Sequence, residues 1–277
     1  MRRKIPFIHV LLFVLTVIST LVAGAVQKGI NPLKEPSRIY EGIPFSAALI
    51  IILLSHELSH FFTSKKHHTE ATLPYFIPAP TLIGTFGAVI KMKSPILSRR
   101  ALIDIGASGP VMGFIFSIIA SVVGLLHSRV AAVPQGGGIV LGDSLIFYVL
   151  SKSVIGTVPA GRELVLNPIA FAGWIGFFVT SLNLLPVGQL DGGHVAYAFL
   201  GPLHRFTSAL VVAVLAVLGL FFWKGWLIWA ALMLVLGLRH PPVYSWERPL
   251  DRGRKYMGIL SLVIFIVTFT PMPFDVF

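Results

Sequence analysis

"LLSHELSHFF", residues 53–62, is the stretch whose reading decides the fold. Leu53, Leu54, Leu58, Phe61 and Phe62 make it apolar, yet it carries His56, Glu57 and His60. A charged side chain at the centre of a membrane helix costs about 2.5–3.5 kcal/mol on insertion scales. The chain has only 11 acidic residues in 277, so one placed here calls for a chemical reason.

The flanking sequence is that of a membrane protein. Hydrophobic residues make up 55% of the chain and charged residues 12%, about half the charged share of a soluble domain; mean hydropathy is +0.85. A bilayer needs roughly 20 apolar residues per helix. Apolar runs near 5–26, 43–62, 101–126, 164–185, 206–223, 225–239 and 256–272 meet or approach that length. The expected fold is an all-α polytopic membrane protein with about seven transmembrane helices. Six result if 206–239 is one helix, but that helix is too long for a simple span, so a tight turn is expected at "WKGW" (223–226). The N-terminal run is too long for the apolar core of a signal peptide and reads as an uncleaved first helix. The expected organisation is a first transmembrane helix and outer loop (1–42), a core (43–200) and C-terminal transmembrane helices (201–277). No soluble domain, internal repeat or low-complexity tail is recognisable.

The formal net charge is +11. Nucleic-acid binding is not expected, because the basic residues sit in short loops beside apolar spans, as positive-inside anchoring requires. With "MRRK" (1–4) in the cytoplasm, 15 of the 22 Lys and Arg fall inside and 7 outside. Joining 206–239 into one helix would make the split 10 against 12. A multi-pass protein of the cell membrane with a cytoplasmic N-terminus is therefore expected, with the lipid bilayer as its surroundings. The oligomeric state is left open. Cysteine is absent, which excludes disulfides and thiolate chemistry; a metal site must use His, Asp, Glu and water.

Two segments break the helical pattern. Residues 67–98 are apolar yet rich in Pro and Gly; "PYFIPAP" (74–80) is unsuited to a helix interior. "TLIGTFGAVIKM" (81–92) reads as a strand pair or re-entrant loop, giving a short β-like hairpin after the second helix. Such backbone survives at membrane depth only against protein or a wet cavity. The outer loop 127–163, with "PQGGGIVLGD", reads as a flexible connection.

His56 and His60 are four apart, so on a helix their imidazoles share one face, one turn apart. That spacing suits two ligands on one metal ion, with Glu57 beside them as general base. The bland alternative is a polar network bridging helices. A catalytic zinc site takes three protein ligands and one open position. His67 and His68 lie in the basic loop "SKKHHTE" (64–70) and read as surface residues; His9 reads as a histidine tolerated near the interface. Asp104 follows "SRRALID" (98–104), where a first-turn acid favours the helix dipole. Asp191 lies in "LNLLPVGQLDGGHVAYAF" (182–199) and His194 is its main rival. A carboxylate balances a metal's charge better in low dielectric, so Asp191 is preferred. Both 43–62 and 164–185 run inward in the charge-derived topology, which brings His56, His60 and Asp191 to one leaflet. Asn183 either donates to a developing oxyanion or caps backbone freed by Pro186.

The sequence here resembles the site-2 proteases, intramembrane zinc metalloproteases. The matching elements are "HELSH" (56–60) and "NLLPVGQLDGG" (183–193), with "GASGPVMG" (106–113) similar to the family's small-residue core helix and "GTFGA" (84–88) to its re-entrant hairpin. The resemblance covers about residues 43–200. It implies Zn2+ held by His56, His60 and Asp191, Glu57 as the catalytic glutamate, Asn183 as a motif residue, and membrane-spanning protein substrates cut near the cytoplasmic side. A substrate helix hides its carbonyls and must be unwound first. An edge in 84–93 suits β-augmentation of the unwound stretch, with Gly84, Phe86, Gly87 and Val89 as candidate substrate-binding residues; its alternative is a packing plug. Two other classes compete. A metal transporter using the same His/Asp cluster would need further polar residues across the membrane, and an inert scaffold would not need Glu57.

Overall fold

The computed structural model describes residues 6–132, 139–246 and 249–276. Arg2, Arg3, Lys4 and Arg248 of the charge count, and the "PQGGG" part of the outer loop, lie outside the described residues. In chain order the helices are α1 (Phe7–Gln27), α2 (Ile43–Lys66), α3 (Arg99–Leu125), α4 (Leu145–Ile155), α5 (Pro168–Asn183), α6 (Asp191–Leu200), α7 (His204–Phe221), α8 (Gly225–Leu236) and α9 (Arg252–Thr268). Seven of them overlie the seven apolar runs. Among the described residues, four helical stretches are long and apolar enough to cross a membrane: Phe7–Gln27, Pro36–Lys66, Arg99–Leu125 and Asp191–Phe221. The turn at "WKGW" separates α7 from α8, and Gly219 lets α7 approach the backbone of Leu227 closely.

The fold is mostly helical but not purely so. Strands β1 (Tyr75–Pro78) and β2 (Thr85–Val89) pair antiparallel; β3 (Arg129–Ala132) pairs with β5 (Arg162–Val165), and β4 (Ile139–Leu141) with β6 (Phe274–Val276). The outer loop expected to be a flexible connection therefore holds three strands and α4. Ser144 caps α4 by accepting from the Phe147 amide, and Phe147 is buried. At 11 residues α4 spans about 16 Å, too short to register as a membrane span.

α3 is the central helix and packs on α2, α5, α6 and α9. Lipid gives helices no hydrophobic drive to associate, so close packing of small residues takes over. Gly173 and Gly176 of α5 face Ser121 and Ser117 of α3, and a methyl group at either glycine would overlap a serine hydroxyl. Further along, Trp174, Phe178, Trp223, Trp226 and Phe274 pack as one aromatic group. Their indole N–H groups are satisfied: Trp174 donates to the Gly142 carbonyl at 2.8 Å and Trp226 to that of Pro271 at 2.7 Å.

The β1–β2 hairpin leans chiefly on α1, with β2 also touching α2. The Gly84 carbonyl accepts from the Ser19 hydroxyl at 2.6 Å, and Gln27 donates to the Leu82 carbonyl at 3.1 Å. His9, buried in α1, donates from Nδ1 to the Pro74 carbonyl at 3.1 Å and lies against Tyr75. It is a structural anchor of the hairpin.

Candidate metal centre

α2 extends apolar residues on all sides, and its polar residues His56, Glu57 and His60 are buried at 4%, 6% and 4% exposure. They need partners, since unpaired polar groups in such surroundings are costly. The partner of the two histidines is Asp191, the first residue of α6. Its Oδ2 lies 3.2 Å from His56 Nε2 and 3.2 Å from His60 Nε2, and the two Nε2 atoms are 3.0 Å apart.

The three donor atoms thus form a nearly equilateral triangle. Zinc bonds of about 2.0–2.1 Å in a tetrahedron put ligand atoms roughly 3.3 Å apart, so the spacing of the three donor atoms would suit three ligands of one zinc ion. His60 Nδ1–H donates to the Ile105 carbonyl at 2.8 Å. That bond fixes the tautomer and turns the Nε2 lone pair inward, the outer-sphere arrangement expected of a metal-binding histidine. By donor type, spacing and tautomer, the residues fit zinc.

"GASGPVMG" explains how three helices come so close. Gly106, Gly109 and Gly113 share one face of α3. A methyl group at Gly109 would overlap the His60 ring; at Gly113 it would lie 3.0 Å from His56 Nδ1; at Gly106, 2.9 Å from both the Asp191 carbonyl oxygen and His194 Cβ. The turn from α5 to α6 is equally tight. Gly192 and Gly193 stack on the carbonyls of Leu184, Val187 and Gly188, and Gly188 adopts φ +53°, a left-handed conformation that favours glycine.

The other singled-out residues fall as follows. Glu57 sits beside the triangle, with the Ile90 backbone amide approaching its carboxylate. Asn183 turns its amide toward the triangle, Nδ2 3.4 Å from His56 Nε2. Phe86 and Val89 are exposed on β2, while Gly84 and Gly87 adopt φ +81° and +101°. His194 does not join the triangle; its Nδ1 lies 2.7 Å from His240 Nε2.

Asp104 is not in the first turn of α3, which begins at Arg99 behind the Ser98 cap. Asp104 instead holds Arg254 of α9 and His67, the latter at 2.8 Å. His67 is therefore a partnered, partly buried residue rather than a surface one, and His68 is exposed. The His194–His240 pair escaped sequence reading altogether. Its members are 46 residues apart, and His240 stands in "RHPP" (239–242), where no periodic pattern points to a partner.

The family profile described as "Peptidase family M50" matches residues 44–224. Among curated proteins, the chain is 27% identical over 253 residues to "Probable zinc metalloprotease EGY2, chloroplastic" of Arabidopsis thaliana, covering 84% of this chain and 42% of that protein. It is 30% identical over 237 residues to "Probable zinc metalloprotease EGY1, chloroplastic" of the same plant, covering 83% and 43%. The chain spans about two fifths of the length of these relatives. No solved structure matches it.

Proposed function

This chain belongs to peptidase family M50, the site-2 protease family of membrane zinc metalloproteases, and on that premise we propose that it is an endopeptidase cutting transmembrane segments of membrane-bound protein substrates near the cytoplasmic side. The observation that carries the proposal is the triangle of His56 Nε2, His60 Nε2 and Asp191 Oδ2 beside a buried Glu57.

In this reading His56, His60 and Asp191 hold zinc, and residues 43–200 are the metalloprotease core between the first helix (1–42) and the C-terminal helices (201–277). Bound zinc supplies a Lewis acid that activates water and polarises a peptide carbonyl. Glu57 takes the proton from the attacking water and returns it to the leaving amine nitrogen. Asn183 points an N–H donor at the side of the triangle where the carbonyl oxygen would gain charge. The orientation of its amide toward His56 favours this over capping the backbone near Pro186.

The hairpin acts as the substrate rest. Among the described residues β2 has β1 on one side only, and its other edge can pair with an unwound substrate. Phe86 and Val89 offer exposed side chains to it, while Gly84 and Gly87 allow the strand its turns. A re-entrant placement of this hairpin and seven spans, α1, α2, α3, α5, α7, α8 and α9, complete the proposed topology, with the N-terminus in the cytoplasm of a cell-membrane protein. The excess of Lys and Arg on that side supports the orientation.

The test is cleavage of a single-span model substrate by purified, zinc-analysed protein. Zinc-dependent hydrolysis that Glu57→Gln abolishes without losing zinc is the expected result; hydrolysis unaffected by Glu57→Gln overturns the assignment. For the topology, single cysteines at His68 and Ser37 are added to the cysteine-free chain. In sealed inside-in vesicles His68→Cys should be protected from impermeant reagent and Ser37→Cys labelled.

A further inference from the structure

Beyond the triangle, one cavity has polar and apolar walls that the proposed reaction has not used. It measures about 110 Å³ and is lined on one side by Met92, Ser94, Pro95 and Ile96, and on the other by Gln189, His194 and the segment 240–243. That is well above the minimum of roughly 10–15 Å³ that admits a single water, and enough to admit a medium-sized side chain.

The cavity lies one helical turn from the triangle by two independent routes. Met92 accepts a contact from the Ser64 hydroxyl, and Ser64 is four residues after His60 on α2. His194 is three residues after Asp191 on α6, so the two share a face. The strand direction agrees. β2 runs from Thr85 to Val89, Ile90 meets Glu57, and Met92 opens the cavity. One turn is about 5.4 Å and a strand advances about 3.3 Å per residue. A substrate strand lying along β2 therefore brings to this cavity a side chain one or two residues from the cut bond.

The polar end of the cavity has a defined character. His240 Nδ1–H donates to the Pro241 carbonyl at 2.6 Å. Burial holds His240 below the usual imidazole value, so it is neutral and its Nε2 is an acceptor. His194 therefore donates from Nδ1 to His240 Nε2 at 2.7 Å, which leaves His194 Nε2 a bare lone pair. The relay presets His194 as a hydrogen-bond acceptor, against walls formed by Met92, Ile96, Pro241, Pro242 and Val243.

The segment that closes the cavity is held firmly. The Ser245 amide donates to the Leu97 carbonyl at 2.9 Å, and Trp246 lies against Arg99 and fits over Gly201, which adopts φ +57°. A wall fixed in this way can discriminate by shape.

We propose that this cavity is a side-chain subsite of the protease, taking a medium-sized neutral substrate side chain with a hydrogen-bond donor, such as Thr, Asn or Gln, one or two residues from the scissile bond. The inference rests on the proposed proteolysis for its meaning, and its test separates the two.

The first arm needs no cleavage. In the uncut Glu57→Gln chain, Val243→Cys is paired with single-cysteine substrates scanned through the unwound region. Disulfide cross-linking should peak sharply at one substrate position. An even spread, or no cross-link although the substrate co-purifies, overturns the subsite. The second arm uses the active enzyme. Val243→Trp, which fills the cavity, should lower kcat/KM at least tenfold for Thr or Asn at that position and less than twofold for Gly, with zinc unchanged. His194→Phe should reverse the preference between Asn and its apolar isostere Leu. Equal losses on all substrates would show a structural wall and overturn the proposal. Absence of any cleavage by the unmodified enzyme, with the cross-linking peak intact, would instead count against the proteolytic reading alone.

Discussion

Two histidine clusters meet at helix α6, and they resolve the same problem in opposite ways. At its first residue, Asp191 draws His56 and His60 into a triangle with their Nε2 atoms facing inward. One turn later, His194 finds no carboxylate and leans on His240, with Tyr197 stacked on the His240 ring. In the second cluster each imidazole N–H meets a neutral acceptor and the pair closes on itself. In the first, the Asp191 carboxylate and the two inward Nε2 atoms form a donor set suited to a dication. The difference teaches that a single carboxylate, not the number of histidines, turns a buried imidazole pair into a group able to hold a metal ion.

Removing that carboxylate is the sharpest way to break the contrast. Asp191→Ala should weaken zinc binding by more than the roughly 10–100-fold typical of outer-sphere partners, whereas His194→Ala should leave zinc in place. Metal analysis of both purified variants decides between them; equal losses would merge the two clusters into one site. Glu57→Gln should retain zinc while slowing peptide cleavage by about 10²–10⁴-fold, the usual weight of general acid–base catalysis. Zinc loss in that variant would make Glu57 a ligand and redraw the triangle.

A smaller effect is expected from the helix that holds the first cluster in place. Gly109→Ala forces a methyl group onto the His60 ring and should cost about 1–3 kcal/mol, as overpacking does, together with weaker zinc retention. Gly253→Ala, whose added methyl meets only the Asp251 carboxylate at 3.4 Å, serves as the neutral control. The least effect concerns the second cluster and pH. Burial lowers the pKa of His240, so the folded state prefers the neutral ring and the unfolded chain binds the proton more readily. Stability from this group is present above the unfolded value of about 6.5 and is lost as pH falls below it through the lower folded value. Melting of detergent-solubilised protein between pH 7.5 and 5.5 should fall more for the unmodified chain than for His240→Gln.

The first cluster was legible in the sequence and the second was not, for a physical reason. His56 and His60 lie within one turn, so their pairing follows from helical period alone. Asp191 is remote, but Pro186, Gly188, Gly192 and Gly193 mark a tight turn, and the topology brings it to the same leaflet. His194 and His240 meet only because the segment after α8 folds back beneath α6, and no local pattern encodes that return. The same holds for Asp104. The sequence placed it at a helix start, whereas it lies beyond the first turn of α3 and its partner Arg254 is 150 residues away. α4 and α6 were hidden differently. One is too short to read as a span, and the other opens with Gly192 and Gly193, residues that disfavour a helix interior. Yet both glycines are needed where α6 stacks on the preceding carbonyls.

The distance along the chain between the donors also sets a clock. His60 and Asp191 are separated by 131 residues, and a ribosome adding about 5–20 residues per second needs on the order of ten seconds to cover that interval. During it the hairpin and α3 are added to the chain, and the triangle still lacks its third corner. On the proposed reading, the growing chain passes its own early transmembrane segments through the membrane while it is unable to cut them. Proteolytic competence arrives only with Asp191, after those segments have been made.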